Sequence, residues 1–206
     1  MHSGFRVSAI LVAAGNSTRM GFDKLAYEWE GRSVLLRSME ALAGHPAVDE
    51  LIVVSDPRRT YVQDAVKKLG GAVRLVKGGA TRHDSVRAGL QEATGDYVAI
   101  HDAARPFVSA EVIERALSAA IRHGAAAPAV PVKDTVKIAK KDIVSSTPDR
   151  STLFAVQTPQ CFRREEYLEL LEHTPTDHVT DDCSVYERAG KRVVLTQGSY
   201  ANYKIT

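Results

Sequence analysis

A chain of 206 residues is long enough for one domain with a sizeable core, and 44% hydrophobic with 25% charged residues excludes disordered and fibrous classes. The formal net charge of +2 is too small for a general nucleic-acid or membrane binder, so any anion site must come from local clustering of Lys and Arg. Cys161 and Cys183 offer neither a disulfide framework nor a CxxC spacing and read as reduced thiols; with no signal-peptide pattern and no apolar run near the ~20 residues of a membrane span, cytoplasm is expected.

In chain order, residues 7–14, 51–55, 73–76 and 97–101 are short, β-branched-rich apolar runs of the kind buried on both faces of a parallel sheet. Helical segments alternate with them. Residues 58–69 place Tyr61, Val62, Ala65, Val66 and Leu69 at helix spacing, and Thr81 with Asp84 forms a capping box for a helix through Val86 and Leu90. Ser109 is read as the N-cap of a helix whose stripe is Val112, Ile113, Ala116, Leu117, Ala120 and Ile121. Strand–helix alternation implies an α/β, Rossmann-like doubly wound sheet, mostly parallel, with ligands at the carboxyl ends of its strands.

The pattern changes after residue 132. Residues 132–160 alternate like strands around a polar middle, without an apolar face broad enough for a helix. They read as an extended β-arm, about 133–150, that cannot bury itself alone and is expected to pack on a second subunit in a homodimer. Lys140, Lys141 and Asp142 read as its solvated tip. Helices over 163–172 and 180–189 and a strand over 192–196 complete one domain spanning 1–206.

Three loops at strand ends carry the chemistry. The first, AAGNSTRMGFDK, is not a Walker loop: five residues rather than four separate Gly15 from Gly21, and Phe22 stands where Lys is required. A dinucleotide fingerprint fails as well, because Ser17 occupies the second glycine position. What remains is a small-residue turn, Ala13–Ala14–Gly15, with open backbone N–H groups and two cations, Arg19 and Lys24. The second loop, GGATRHDS, supplies close backbone approach and then Arg82 and Ser85; the third, HDAARP, supplies Asp102 and Arg105. A carboxylate at a strand end facing cations suits Mg²⁺, or another divalent cation, bridging phosphates. His101 reads as a strand-end histidine satisfied by backbone, and Asp181 and Asp182 as first-turn acids favoured by a helix dipole.

AAGNSTRMGFDK, GGATRHDSV, HDAARPFV, VPVKDTVK, DRSTLFAVQTPQCF, TDDCSVYERAG and NYKIT occur in this order over essentially the whole chain. Together they resemble the 2-C-methyl-D-erythritol 4-phosphate cytidylyltransferases of the non-mevalonate isoprenoid pathway. The resemblance implies that Arg19 and Lys24 stabilise charge at the α-phosphorus of CTP, and that Arg150 and Lys204 position the polyol phosphate. It assigns Ala13, Ala14, Gly15, Gly79, Ala80 and Ser85 to the nucleotide pocket with Arg82 nearby, and Asp102, Arg105, Thr135, Thr158 and Thr180 to the polyol-phosphate side. It implies a homodimer whose exchanged arms lend Thr135 and Arg150 to the neighbouring site. Two departures accompany it. The loop between Arg19 and Lys24 is short, and the chain stops directly after KIT, where the family pattern continues into a helix, which is expected to weaken the dimer or loosen Lys204. Two alternatives stay open from sequence: a ribitol 5-phosphate cytidylyltransferase of the same fold, and a CTP-binding protein without turnover.

Overall fold

The computed structural model describes residues 4–15, 23–71, 73–175 and 179–206. The first half contains β1 (Val7–Val12), a small hairpin of β2 (Glu28–Trp29) and β3 (Arg32–Ser33), α1 (Val34–Ala43), β4 (Glu50–Ser55), α2 (Thr60–Leu69), β5 (Val73–Lys77) and α3 (Arg82–Glu92). It continues through β6 (Tyr97–Asp102), α4 (Ala110–His123) and β7 (Ala125–Pro131). After these come β8 (Ile138–Lys140), β9 (Ile143–Ser146), a 3₁₀ turn at Arg150–Thr152, β10 (Phe154–Val156) and β11 (Gln160–Arg163). The chain finishes with α5 (Arg164–His173), α6 (Asp182–Arg188) and β12 (Val194–Gln197).

The period-2 alternation of strand side chains explains why the central strands are apolar throughout. Val7, Ala9 and Leu11 of β1, Leu51 and Val53 of β4, and Ala99 of β6 face one layer, where α1, α2 and α4 bring Leu35, Met39, Val62, Val112 and Leu117. Ile10, Ile52, Val54, Val98 and Ile100 face the other, where α3, α5 and α6 bring Val86, Leu90, Tyr167, Leu171 and Val185. The expected doubly wound sheet is therefore present. Its order is β10-β7-β11-β6-β1-β4-β5, with β12 added against β7. The β6-β1-β4-β5 half is parallel, whereas β11 runs antiparallel between β6 and β7. β5 lies at the sheet edge, and its residues are only partly covered, unlike those of the three strands beside it.

Several elements extend the sequence reading. α1 lies outside the expected helices, although Ser33 caps it by accepting from Leu36 N–H and Leu35, Met39 and Leu42 lie on one buried face. β7 and β11 are also additions, whereas β10 falls within the residues read as strand-like. An alanine-rich strand interrupted by Pro128 contradicts ordinary strand preference. The structure accommodates it because β11 pairs with residues 125–126 and β10 with residues 129–131, so Pro128 falls between the two ladders. Its carbonyl accepts from Gln157 N–H at 2.7 Å.

The segment expected to form an arm does leave the sheet as the β8–β9 hairpin, whose strands are exposed throughout. Its turn is Lys141–Asp142, with φ of 48° and 64°, the left-handed pair of a two-residue hairpin turn.

α3 crosses β1 and β4 at Gly89. A Cβ there would sit 2.6 Å from Ile10 Cγ2 and 3.0 Å from Val54 Cγ2, so helix and sheet meet backbone against side chain. Gly89→Val is expected to cost about 2–3 kcal/mol of stability through overpacking, read as a lowered urea midpoint; an unchanged midpoint would contradict so close a crossing.

Candidate active site

Pairing of β1 with β6 sets Val12 opposite Asp102, and Ala103 N–H continues the ladder to Val12 carbonyl at 3.1 Å. β4 lies on the other side of β1, so the chain turns one way after β1 and the other way at β6. This is the switch point where doubly wound sheets open a crevice. A cavity of about 700 Å³ occupies it, lined by Ala13, Ala14, Gly15, Gly79, Ala80 and Ser85, together with Lys24, Arg82, Asp102 and Lys204. Among the described lining residues three cationic side chains oppose one side-chain carboxylate, a balance that favours a polyanion.

The glycine loop is shaped by Ser85 and Thr81. Ser85 Oγ accepts from Gly79 N–H at 3.1 Å and donates to Thr81 carbonyl at 3.0 Å. The capping box expected from Thr81 and Asp84 is present, with both reciprocal hydrogen bonds formed. A Cβ on Gly78 would collide with that of Ala14, so only glycine lets the α3 entrance approach the turn after β1 this closely.

Asp102 is the electrostatic centre. Its Oδ2 accepts from Lys204 Nζ at 2.7 Å, Arg82 Nη2 lies 3.4 Å from Oδ1, and Arg105 Nε stands 4.0 Å from Oδ2. Burial alone would raise its pKa, but the charges of Arg82 and Lys204 outweigh burial and hold it at about 2. Arg82 reaches a second carboxylate, Asp182 Oδ2, at 2.7 Å. Asp182 is fully buried at the start of α6, and its Oδ1 accepts from Tyr167 hydroxyl at 2.6 Å. Buried Arg82 Nη1, on a residue of the cavity lining, and Arg105 Nε, on a residue outside that lining, have no hydrogen-bond partner among the described residues.

Behind Asp102, a hydrogen-bond relay defines the histidine. Thr158 Oγ1 accepts from Asp102 N–H at 3.1 Å and lies 2.9 Å from His101 Nδ1; His101 Nε2 lies 3.0 Å from Arg105 carbonyl. A carbonyl only accepts, so Nε2 carries the proton and Nδ1 accepts from the threonine. Burial lowers the His101 pKa to about 4. The group is a neutral strut.

The C-terminal stretch closes the cavity. Asn202, fully buried, donates from Nδ2 to Thr158 carbonyl at 2.9 Å, and its own main-chain carbonyl accepts from Arg105 Nη1 at 2.7 Å. Ile205 N–H donates to Ala104 carbonyl at 2.9 Å, and Ile205 carbonyl accepts from Lys24 Nζ at 2.6 Å.

The structure thus gathers Ala13, Ala14, Gly15, Lys24, Gly79, Ala80, Arg82, Ser85, Asp102 and Lys204 around one cavity, with Arg105 and Thr158 behind Asp102. Arg19 lies outside the described residues. Thr135 and Arg150 are exposed on the arm and do not line this chain's cavity; Arg150 Nη1 donates to Lys133 carbonyl at 2.7 Å. Thr180 is exposed, one residue before the N-cap of α6, and is likewise absent from the described lining. The helix-dipole account of the two aspartates needs correction for Asp182. Asp181 is the N-cap, accepting from Ser184 N–H, whereas Asp182 is the buried counter-ion of Arg82. Sequence reasoning also missed Gln160, which donates to Asp181 Oδ2 at 2.8 Å, and Asn202. The polar residues of TPQ and NYK were the available signal.

No described group of three or more His, Cys, Asp or Glu could hold a metal ion. Mg²⁺ held by one carboxylate and substrate phosphates needs no such group, and Asp102 is the carboxylate in the described lining.

The family model for 2-C-methyl-D-erythritol 4-phosphate cytidylyltransferase (IspD) matches residues 7–206. A bifunctional enzyme IspD/IspF from Anaeromyxobacter sp. (strain Fw109-5) is 44% identical over 98% of this chain, which spans 54% of that relative. The chain thus covers about half the length of the bifunctional relatives. A 2-C-methyl-D-erythritol 4-phosphate cytidylyltransferase from Caldanaerobacter subterraneus subsp. tengcongensis is 41% identical, with 97% of this chain and 93% of that one aligned. Among solved structures, 4-diphosphocytidyl-2C-methyl-D-erythritol synthase from Anaerococcus prevotii superposes with a TM-score of 0.85 at 32% identity, covering 98% of this chain and 90% of that one. The 2-C-methyl-D-erythritol 4-phosphate cytidylyltransferase from Thermus thermophilus gives a TM-score of 0.82 at 31% identity, with 98% and 93% covered.

The buried histidine makes stability depend on pH. Its folded pKa, about 4, lies below the unfolded value near 6.5, so the unfolded chain binds the extra proton first. Stability present above about pH 6.5 is therefore lost as pH falls to about 4, by about 3 kcal/mol from this residue. Urea unfolding at pH 7 and pH 4.5 should show a smaller difference for His101→Gln than for the wild type; identical differences would contradict the assignment.

Proposed function

We propose, for a chain that belongs to the 2-C-methyl-D-erythritol 4-phosphate cytidylyltransferase family, that it transfers the cytidylyl group of CTP to 2-C-methyl-D-erythritol 4-phosphate and releases pyrophosphate. The observation that carries this reading is the cavity at the β1/β6 switch point, where Lys24, Arg82 and Lys204 share the lining with one side-chain carboxylate, Asp102.

A phosphate monoester has a second pKa near ~6 and is largely dianionic at neutral pH, so its oxygen attacks without a base. The new bond forms from that oxygen to the α-phosphorus of CTP, and the bond from the α-phosphorus to the bridging oxygen breaks, with its electron pair leaving on pyrophosphate. No proton has to move. The work left to the protein is positioning and charge stabilisation. Neutral, buried His101 fits this demand, since it holds Thr158 and the Asp102 backbone rather than exchanging protons.

Roles follow from chemistry and position. Arg19 and Lys24 stabilise the charge growing on the α-phosphoryl oxygens, the lysine as a point charge. The backbone of residues 13–15 and of Gly79 and Ala80, with Ser85 bracing the loop, receives the nucleotide. Arg82 carries a spare donor at the cavity, Lys204 receives the polyol phosphate, and Arg105 and Thr158 support Asp102 from behind on the polyol-phosphate side. Asp102 would hold Mg²⁺ together with the triphosphate, and the ion would neutralise phosphate charge. Arg150 and Thr135 complete the neighbouring site across a homodimer with exchanged arms. The exposed Ile138, Ile143 and Val144 of the hairpin support that pairing, because an isolated arm leaves them in water. Cytoplasmic residence is part of the same reading, supported by two buried free cysteines; no helix among the described residues is long and apolar enough to cross a membrane.

Pyrophosphate release from CTP with magnesium is expected with methylerythritol 4-phosphate and not with ribitol 5-phosphate. Turnover with ribitol phosphate alone would replace the named substrate, and CTP binding without pyrophosphate would mark a non-catalytic protein. Lys24→Ala should lower kcat on the order of a hundredfold with an unchanged melting midpoint. Arg150→Ala should chiefly raise the KM for the polyol phosphate. Mixing these two impaired variants should raise activity above that of either alone, because one site of each mixed dimer then has both groups; well-formed mixed dimers without recovery would exclude the shared site.

A further inference from the structure

Arg59 belongs to none of the sequence motifs, yet it reaches into the same strand-end edge. It stands at the N-cap of α2, makes no side-chain cap bond, and brings a cation to a helix N-terminus, where the dipole disfavours one. Helix stability does not account for the position. Its guanidinium instead turns back over the exit of β1. Nη1 lies 3.4 Å from Ala13 carbonyl, 3.4 Å from Gly15 carbonyl, 3.4 Å from Asp23 Oδ2 and 3.3 Å from Tyr61 Oη. Tyr61 donates to Asp23 Oδ2 at 2.6 Å, and burial followed by the Asp23 carboxylate pushes its hydroxyl up to about 12, so it stays a donor. Asp23 Oδ1 in turn accepts from Leu25 N–H at 3.2 Å, shaping the turn that presents Lys24.

Gly15 and Asp23 are the residues on either side of 16–22. One guanidinium therefore touches both flanks of the phosphate loop, and the second flank is adjacent to the lysine that faces the cavity. These contacts all run through Nη1, whose two protons are shared among a carboxylate, two carbonyls and a phenol oxygen at 3.3–3.4 Å.

We propose that Arg59 is a positioning residue for nucleotidyl transfer: it ties Ala13 and Gly15 to Asp23 and so holds Lys24 at the cavity, with Tyr61 as its brace. The inference rests on the reaction proposed above and deepens it. It gives a function to the SDPRRTY segment after β4, which no substrate-facing role accounts for.

The test compares Arg59→Met in two backgrounds. In the otherwise unaltered protein it should lower kcat about tenfold while leaving the KM for the polyol phosphate unchanged. In the Lys24→Ala background the same change should cost less than about twofold, because its effect acts through that lysine. Equal losses in both backgrounds would overturn the proposal. A second readout needs no substrate: acetylation of Lys24 by acetic anhydride, measured by peptide mass spectrometry against exposed Lys67, should rise severalfold in Arg59→Met, and an unchanged ratio would overturn the proposal too. Should the unaltered protein release no pyrophosphate, the reaction fails while the labelling still decides the role of Arg59. Tyr61→Phe, which removes only the hydroxyl, should shift labelling in the same direction and serves if Arg59→Met does not fold.

Discussion

A carboxylate at the bottom of a cavity is costly unless its charge is answered, and the site is organised around how Asp102 is answered. Lys204 meets it from the C-terminal stretch and Arg82 from the entrance of α3. Arg82 is itself held by Asp182, which Tyr167 holds from α5. This alternating series, Tyr167–Asp182–Arg82–Asp102–Lys204, runs from one helical layer across the sheet edge to the end of the chain. Each buried charge is fixed by the next, so the orientation of the cavity cations is set by the packing of α5 and α6 as much as by the loops themselves.

The same arrangement separates holding from reacting. His101, Thr158 and Asn202 are buried and each hydrogen-bonds to main-chain or side-chain neighbours behind Asp102. Lys24, Arg82 and Lys204 stand in front of it. The proposed reaction, between two polyanions, needs a preorganised positive surface more than it needs a proton carrier, and the geometry suits that demand. Arg59 extends the rear layer to the far side of β1.

Much of this was readable from the residues. The buried strands, the capping box of α3 and the departure of the arm all followed from local rules, because period, caps and turn chemistry act over a few residues. The cavity lining was legible through the motifs that border it. What escaped depends on distant pairing. β7 reads as a poor strand until β10 and β11 are seen to flank Pro128 from separate ladders. Asp182 reads as a helix-end acid until Arg82, a hundred positions earlier, is brought beside it. Arg59 draws no reading from sequence, because its contact with the exit of β1 exists only once the two are folded together. α1 is different: its cap and apolar face are local signals, legible without any distant partner, and the sequence reading omits them all the same.

The hydrogen bond from Lys24 to Ile205 joins positions 181 residues apart. During synthesis, β1, β4, β5 and β6 are all made before the residues that hold this lysine, and so are the helices α5 and α6 that cover one face of the sheet. The strands and helices up to α4 contain no part of the stretch that also brings Lys204 to Asp102. The stretch that holds Lys24 and brings Lys204 to Asp102 is therefore the last to be made, and a chain without it would lack both contacts.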